Sequence, residues 1–163
     1  MDGSDGAEWV DSPDGGSPRT PERLRRRPSR LLSQLTGRSD RLINDGLVRV
    51  DARKWHYAVL ASLQEYGPGS QAELSNRSGI HRSDMVGVLN ELAERGLVER
   101  APDPADRRRN VITISTRGRR RLSLLGETLD VLEDELLAPL SPSERHQLVR
   151  LLARLLDHHA GPS

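Results

Sequence analysis

At 163 residues the chain is long enough for one domain with a core of its own, and with no phenylalanine, two tryptophans and two tyrosines that core must be built from Leu, Val, Ile and Ala, which favours helices. Lys and Arg total 25 against 24 Asp and Glu, so the overall charge names no partner. The absence of cysteine excludes disulfides, thiol redox switches and Cys-ligated zinc.

Residues 1–28 are rich in Gly, Ser, Pro and Asp without an apolar period, and read as a disordered, functionally neutral tail. Its arginines between Arg23 and Arg27 face two uses, a nucleic-acid backbone or the acids that precede them (Asp2, Asp5, Glu8, Asp11, Asp14). From Ser29 to Val50, apolar residues at 31, 32, 35, 42, 43 and 47 approximate a helical stripe interrupted by two glycines, predicting an N-terminal helical region over 29–53. Trp55 to Tyr66 reads as a helix ended by Gly67-Pro68-Gly69, and Ser70 with Glu73 forms a capping box that opens another, stopping at Gly79. The next runs from about Arg82 to Arg95 and ends at Gly96.

Two short β-type runs follow, 97–100 and 110–115, joined by a turn containing two prolines and therefore by a long hairpin. Thr116 is the expected cap of a helix whose leucines, Leu122, Leu125, Leu129, Leu132 and Leu136, recur in a narrow seam of the kind by which helices pack along one another. After Pro139, a second capping box (Ser141, Glu144) starts a last helix, with Leu148, Leu151, Leu152, Leu155 and Leu156 expected inward. The order predicts a mainly α fold: a winged helix-turn-helix lobe over 54–115 with a two-stranded wing, and C-terminal helices over 116–158. No apolar run approaches the roughly 18 residues of a membrane span and the N-terminus is acidic, so a soluble, cytoplasmic protein without membrane contact is expected.

Charge is unevenly placed. Between Arg100 and Arg121 eight arginines stand against two aspartates, whereas Gly126 to Leu137 holds five acids and no base. The first segment is suited to meet an anion. Within "LSNRSGIHRSDMVGVL", residues 74–89, apolar Leu74, small Ser75, turn-forming Gly79 and apolar Ile80, Met85 and Val88 have helix-turn-helix spacing, with Ser78 standing where an apolar residue is usual. In that arrangement the second helix offers its N-terminal side chains to the major groove.

The stretch "GIHRSDMVGVLNELAERGLVERAPDPADRRRNVITISTRG" resembles the recognition helix and wing of the MarR family of bacterial transcription regulators, above all in its D-P-x-D-R-R run before a V-x-I-S strand and a helix-starting T-x-G. The flanking helices extend the match to roughly residues 30–158. The resemblance implies a dimeric winged helix in which the terminal helices join two copies, and so gives the leucine seam from Leu122 to Leu136 a role at the homodimer interface. It implies a wing in the minor groove with Arg108 at its tip, where narrow grooves concentrate negative potential, and Asp106 holding the wing's base. Arg107 and Arg109 then meet phosphate.

On the recognition helix Arg82, Ser83, Asp84, Val86 and Gly87 hold the exposed early positions. Arg82 can donate twice to guanine and Ser83 can bind a base or a phosphate. Asp84 either caps the helix from its third position, the favoured reading, or reads cytosine. By the same resemblance, Trp55, His56 and Tyr57 lie where a small aromatic or anionic effector would enter; the alternative is that the aromatics anchor the core. His158 and His159 sit adjacent near a terminus and diverge on a helix, so no metal site or cofactor is expected.

Function follows from these parts. Two recognition helices enter successive major grooves of a palindromic operator on double-stranded DNA, about 10 base pairs apart, and an effector that changes their separation releases the repressor. The alternative is a winged-helix protein-protein interaction module without DNA binding, against which the intact arginine wing argues. An enzyme is not expected: there is no H-E-x-x-H, no phosphate-binding glycine loop and no nucleophile–base set.

Overall fold

The computed structural model describes residues 20–160 and contains seven helices and a two-stranded antiparallel sheet among them. In chain order these are α1 (Glu22–Arg25), α2 (Pro28–Arg49), α3 (Lys54–Tyr66), α4 (Gln71–Ser78), α5 (Arg82–Glu94), β1 (Val98–Pro102), β2 (Asn110–Ile114), α6 (Thr116–Leu136) and α7 (Pro142–His159). The chain separates into two units, one ending at Arg41 and one beginning at Leu42.

In the first unit α1 is a single exposed turn inside the stretch expected to be tail, with Arg26 paired to Glu22 at 3.5 Å. The rest of that expected tail, residues 1–19, lies outside the described residues. Helix α2 then continues without a break past Gly37 and Gly46, where the sequence predicts interruptions. A glycine inside a helix costs about 1 kcal/mol relative to alanine but keeps its N–H in the ladder, so two of them in 22 residues weaken a helix without ending it. Gly46 also has a packing reason, since the Leu132 side chain occupies the space a Cβ would need.

The second unit holds the core. Leu47, Val59, Leu60, Leu74, Met85, Leu89, Leu92, Ile112 and Leu125 are wholly buried, and they come from α2, α3, α4, α5, β2 and α6. Helices α4 and α5 form the expected helix-turn-helix. Ser70 and Glu73 cap α4 reciprocally, the Ser70 amide donating to Glu73 Oε2 at 2.7 Å and the Glu73 amide to Ser70 Oγ at 3.3 Å. Gly79 ends it in the left-handed region at φ 70°, which a residue with a Cβ adopts at a cost. Ser75 is buried, and Ser78 satisfies its hydroxyl by donating to Leu74 O at 2.6 Å, which explains how a polar residue is accommodated at that point of the motif.

Strands β1 and β2 pair from Val98↔Ile114 to Pro102↔Asn110. A bridge adds to this sheet: Gly69 and Ile112 exchange both backbone hydrogen bonds, at 3.1 and 2.8 Å, tying the α3–α4 connection to the middle of the wing.

Three expectations about the C-terminal region are corrected. Ser115, not Thr116, caps α6: its hydroxyl accepts from the Gly118 amide at 2.9 Å and donates to Gly96 O at 2.7 Å. Four of the five seam leucines face this chain's own core, with Leu125 completely buried, Leu122 and Leu129 packed against the same cluster and Leu132 on Gly46, while Leu136 is half-buried. A narrow leucine seam records that a helix packs along something; it does not distinguish the helix's own domain from a second copy. Conversely α7, expected to turn its leucines inward, buries none of its residues, and Val149, Leu151, Leu155 and Leu156 are exposed. None of the described helices is long and apolar enough to cross a membrane.

Candidate nucleic-acid interface

The wing's tip is shaped by two aspartates. Asp103 Oδ1 accepts from the Ala105 amide at 2.8 Å, and the Asp103 amide donates to Arg109 O at 2.8 Å. Asp106 Oδ1 accepts from the Arg108 amide at 3.0 Å while its carbonyl accepts from the Arg109 amide at 2.9 Å. These side-chain-to-backbone bonds fold the turn locally. They leave Arg107, Arg108 and Arg109 all exposed, and none of the three forms a salt bridge among the described residues, the Glu73 carboxylate on α4 being close enough only to feel the charge of Arg109. Asp106 thus organises the tip that presents the arginines, not the base of the wing, and Asp103 is a second organiser that sequence reasoning missed although its Asp-Pro-Ala-Asp setting signals Asx turns.

Beside the tip a cleft of about 310 Å³ opens between the wing and the start of α4, lined by Ser70, Gln71, Arg100, Arg108, Arg109 and Asn110. The Glu73 carboxyl at that end of α4 is held below its usual range chiefly by the Ser70 amide and hydroxyl, with smaller contributions from Arg77 and Arg109. The site is therefore basic, edged by hydrogen-bonding groups and open.

Helix α5 carries the second half of the interface. Arg82, Ser83, Asp84, Val86 and Gly87 are exposed on it, whereas Met85, Leu89 and Leu92 face the core. A Cβ at Gly87 would meet nothing within 4 Å, so this face is clear for a ligand to approach. The cap of α5 is His81, whose ring Nδ1 accepts from the Ser83 amide at 3.4 Å and lies 2.8 Å from Ser83 Oγ. Asp84 does not take the capping role; its carboxylate accepts from Ser83 Oγ at 3.3 Å and stays at the exposed end. Asn90, one turn beyond Val86, is exposed on the same side and carries an amide suited to adenine. Its i+4 spacing from Val86 was the available signal.

Trp55, His56 and Tyr57 do not converge. Trp55 is 45% exposed with Lys54 Nζ 5.8 Å from its ring, and Tyr57 packs against the core cluster. His56 is buried, accepts from the Arg53 amide at Nδ1 (3.2 Å) and places Nε2 3.2 Å from Glu91 Oε2 on α5, with the ring N–H poorly aimed at that oxygen. Burial lowers the pKa of His56 below its ordinary value, and the neighbouring Glu91 only partly opposes this. Glu91 in turn pairs with Arg95 at 2.8 Å, and Arg95 reaches Asp51 at 2.8 Å. His56 therefore belongs to a polar tie between α3, α5 and the α2–α3 connection.

Among the described residues no group of three or more His, Asp or Glu is placed to hold a metal ion. His158 and His159 meet edge to face with ring centroids 5.0 Å apart.

The family model described as MarR family matches residues 51–109, which is the span from the α2–α3 connection through the arginine tip. A probable transcriptional regulator from Pseudomonas aeruginosa is 32% identical in sequence, and its crystal structure superposes with a TM-score of 0.71 over 81% of this chain and 98% of that one. The chain belongs to the MarR family. This MarR-family chain is also similar to a MarR variant from E. coli complexed with operator DNA, at 26% identity and TM-score 0.68 over 78% of this chain and 92% of that one. It is 28% identical over 101 residues to the transcriptional repressor NicR of Pseudomonas putida, a match that covers 62% of this chain and 64% of that repressor's length. The fold is accordingly the winged helix of a family of transcription regulators, not of enzymes.

Proposed function

We propose that this chain is a homodimeric, sequence-specific repressor that binds a palindromic operator in double-stranded DNA and leaves it when a small molecule binds. The observation that carries the reading is the placement, on one folded unit, of an exposed polar N-terminal face on α5 and an exposed arginine triplet on a wing pinned by the Gly69–Ile112 bridge. Rigid attachment matters because a groove-reading helix and a groove-reading loop act together only if their separation is fixed. That the similar E. coli MarR variant is complexed with operator DNA supports a DNA-binding use of this fold.

In this reading Arg82, Ser83 and Asn90 read base edges, Arg108 enters the minor groove, and Arg107 and Arg109 meet phosphate. The homodimer forms through apolar faces that the single chain leaves uncovered: Leu31, Leu32 and Leu35 on α2, and Leu151, Leu155 and Leu156 on α7. Exposed leucines at helical spacing on two long helices are costly in water and are covered by a second copy.

The test is selection of bound duplex from a random DNA pool by the full chain. An enriched inverted repeat with half-sites about 10 base pairs apart is expected. Recovery of unenriched DNA, or of none, refutes the reading and leaves the winged helix as a protein-interaction module.

A further inference from the structure

A second basic site lies away from the wing tip. A cleft of about 580 Å³ at the start of α6 is lined by Arg95, Arg117, Arg120 and Arg121, with Asp51 the single acid of its lining. Asp51 is already engaged: its carboxylate takes Arg95 at both oxygens, at 2.8 and 3.4 Å. Its backbone carbonyl accepts from Arg95 and from Arg121, at 2.9 Å each, and Arg121 also donates to Val50 O. Asp51 holds these bonds from a left-handed backbone, φ 52°, unusual for a residue with a side chain. Arg117 and Arg120, three apart on α6 and both exposed, have no acidic partner among the described residues.

This cleft is separated from the elements assigned to DNA. Helix α5 has 13 residues, so Arg95, which caps its C-terminus, lies about 20 Å along the backbone from Arg82 at its start. The wing's tip is at the Asn110 end of β2, and the cleft is at the Ile114 end, where α6 begins.

We infer that this cleft binds a small diphosphate-bearing molecule, such as a nucleoside diphosphate, between Arg117 and Arg120 on one side and Arg95 and Arg121 on the other. Three features select that chemistry. Arginines fork onto phosphate oxygens with two parallel donors, which a planar guanidinium does better than an ammonium. A single negative charge gains little at exposed, well-solvated arginines, whereas adjacent phosphates engage several at once. The volume exceeds that of a bare diphosphate, and Leu97 and Leu124 give apolar walls against which a ring can lie. Arg95, braced by Glu91 of α5 itself, is also the residue that ties the end of that helix to Asp51, so a diphosphate competing for it loosens the recognition helix's support. That consequence alone rests on the DNA-binding reading; the binding site itself does not.

The test begins without DNA. Calorimetric titration of the full chain with adenosine diphosphate, at an ionic strength fixed with sodium chloride, should show saturable binding of one molecule per subunit. Pyrophosphate should bind more weakly and compete, and adenosine should not bind. Arg117→Ala with Arg120→Ala should weaken adenosine diphosphate at least about tenfold, whereas Arg150→Ala with Arg154→Ala, removing the same charge from α7, should leave it unchanged. Circular dichroism should show all variants folded. No saturable binding by the parent chain, or equal loss in both double variants, overturns the site. So does a DNA titration in which Arg117→Ala with Arg120→Ala makes the salt dependence shallower by about two phosphates, since the cluster would then belong to the DNA interface. A chain that binds adenosine diphosphate but selects no operator supports this site and refutes the repressor reading.

Discussion

Gly118→Ala should destabilise the protein although it replaces a glycine inside a helix. By propensity alone the change gains about 1 kcal/mol. The structure reverses the sign, because a Cβ at Gly118 would drive into the Leu97 carbonyl and come within 2.9 Å of Ile114 Cγ1. The Leu97 carbonyl is backbone that already accepts from the Ser115 amide at 3.1 Å, so it cannot move aside without loosening the junction between β1 and α6. Overpacking of this kind costs about 1–3 kcal/mol, and weakening that hydrogen bond adds about 1 kcal/mol. The net expectation is a loss of about 2 kcal/mol, which for a chain of this size lowers Tm by about 4–8 °C. Gly87→Ala is the internal control: it sits in α5 with nothing within 4 Å of its would-be Cβ, and should gain about 0.5–1 kcal/mol. Urea denaturation at one protein concentration measures both. If Gly118→Ala is as stable as the parent, the close approach of α6 to the strand does not govern this junction and the argument fails.

Ser115→Ala should cost about 1–2 kcal/mol, and Thr116→Ala far less, because the Ser115 hydroxyl serves both the Gly118 amide and Gly96 O; equal losses in thermal melts would reject Ser115 as the cap. Leu156→Glu, at a position 71% exposed in the single chain, should yield folded monomers by light scattering, whereas Leu129→Glu should unfold the subunit; a Leu156→Glu dimer would mean that α7 is not the interface. Arg108→Ala should lower operator affinity by about 1–3 kcal/mol more than affinity for scrambled duplex, while Arg107→Ala and Arg109→Ala should each lower both alike and reduce the salt slope by about one; uniform losses at all three would make the wing an electrostatic handle only. Burial holds His56 below its unfolded value of about 6.5, so its contribution to stability is whole above that pH and is lost as pH falls from there toward the lower folded value. His56→Gln should flatten that part of the pH dependence, and urea midpoints at pH 7.5 and 5.0 that shift equally in parent and variant would contradict it.

Local chemistry was legible in the order of residues because it acts over three or four positions. The Ser70–Glu73 and Ser141–Glu144 capping boxes and the left-handed Gly79 depend on near neighbours and occur where the sequence places them, and the strand pair is displaced only at its ends, β1 running on through Ala101 and Pro102 into the expected turn. The Asp103 and Asp106 turns were equally local but went partly unread, since the same aspartates also suit an ion pair. What tertiary structure decided was the direction in which each apolar face turns. The seam from Leu122 to Leu136 and the leucines of α7 have similar periodicity, yet Leu125 is buried in the chain's own core and Leu156 is exposed. Periodicity fixes which side of a helix is apolar and carries no information about what stands opposite. The same limit hid the cleft at the start of α6, because Asp51, Arg95 and Arg121 are far apart in the chain and meet only when the α2–α3 connection, the end of α5 and the first turns of α6 are packed together.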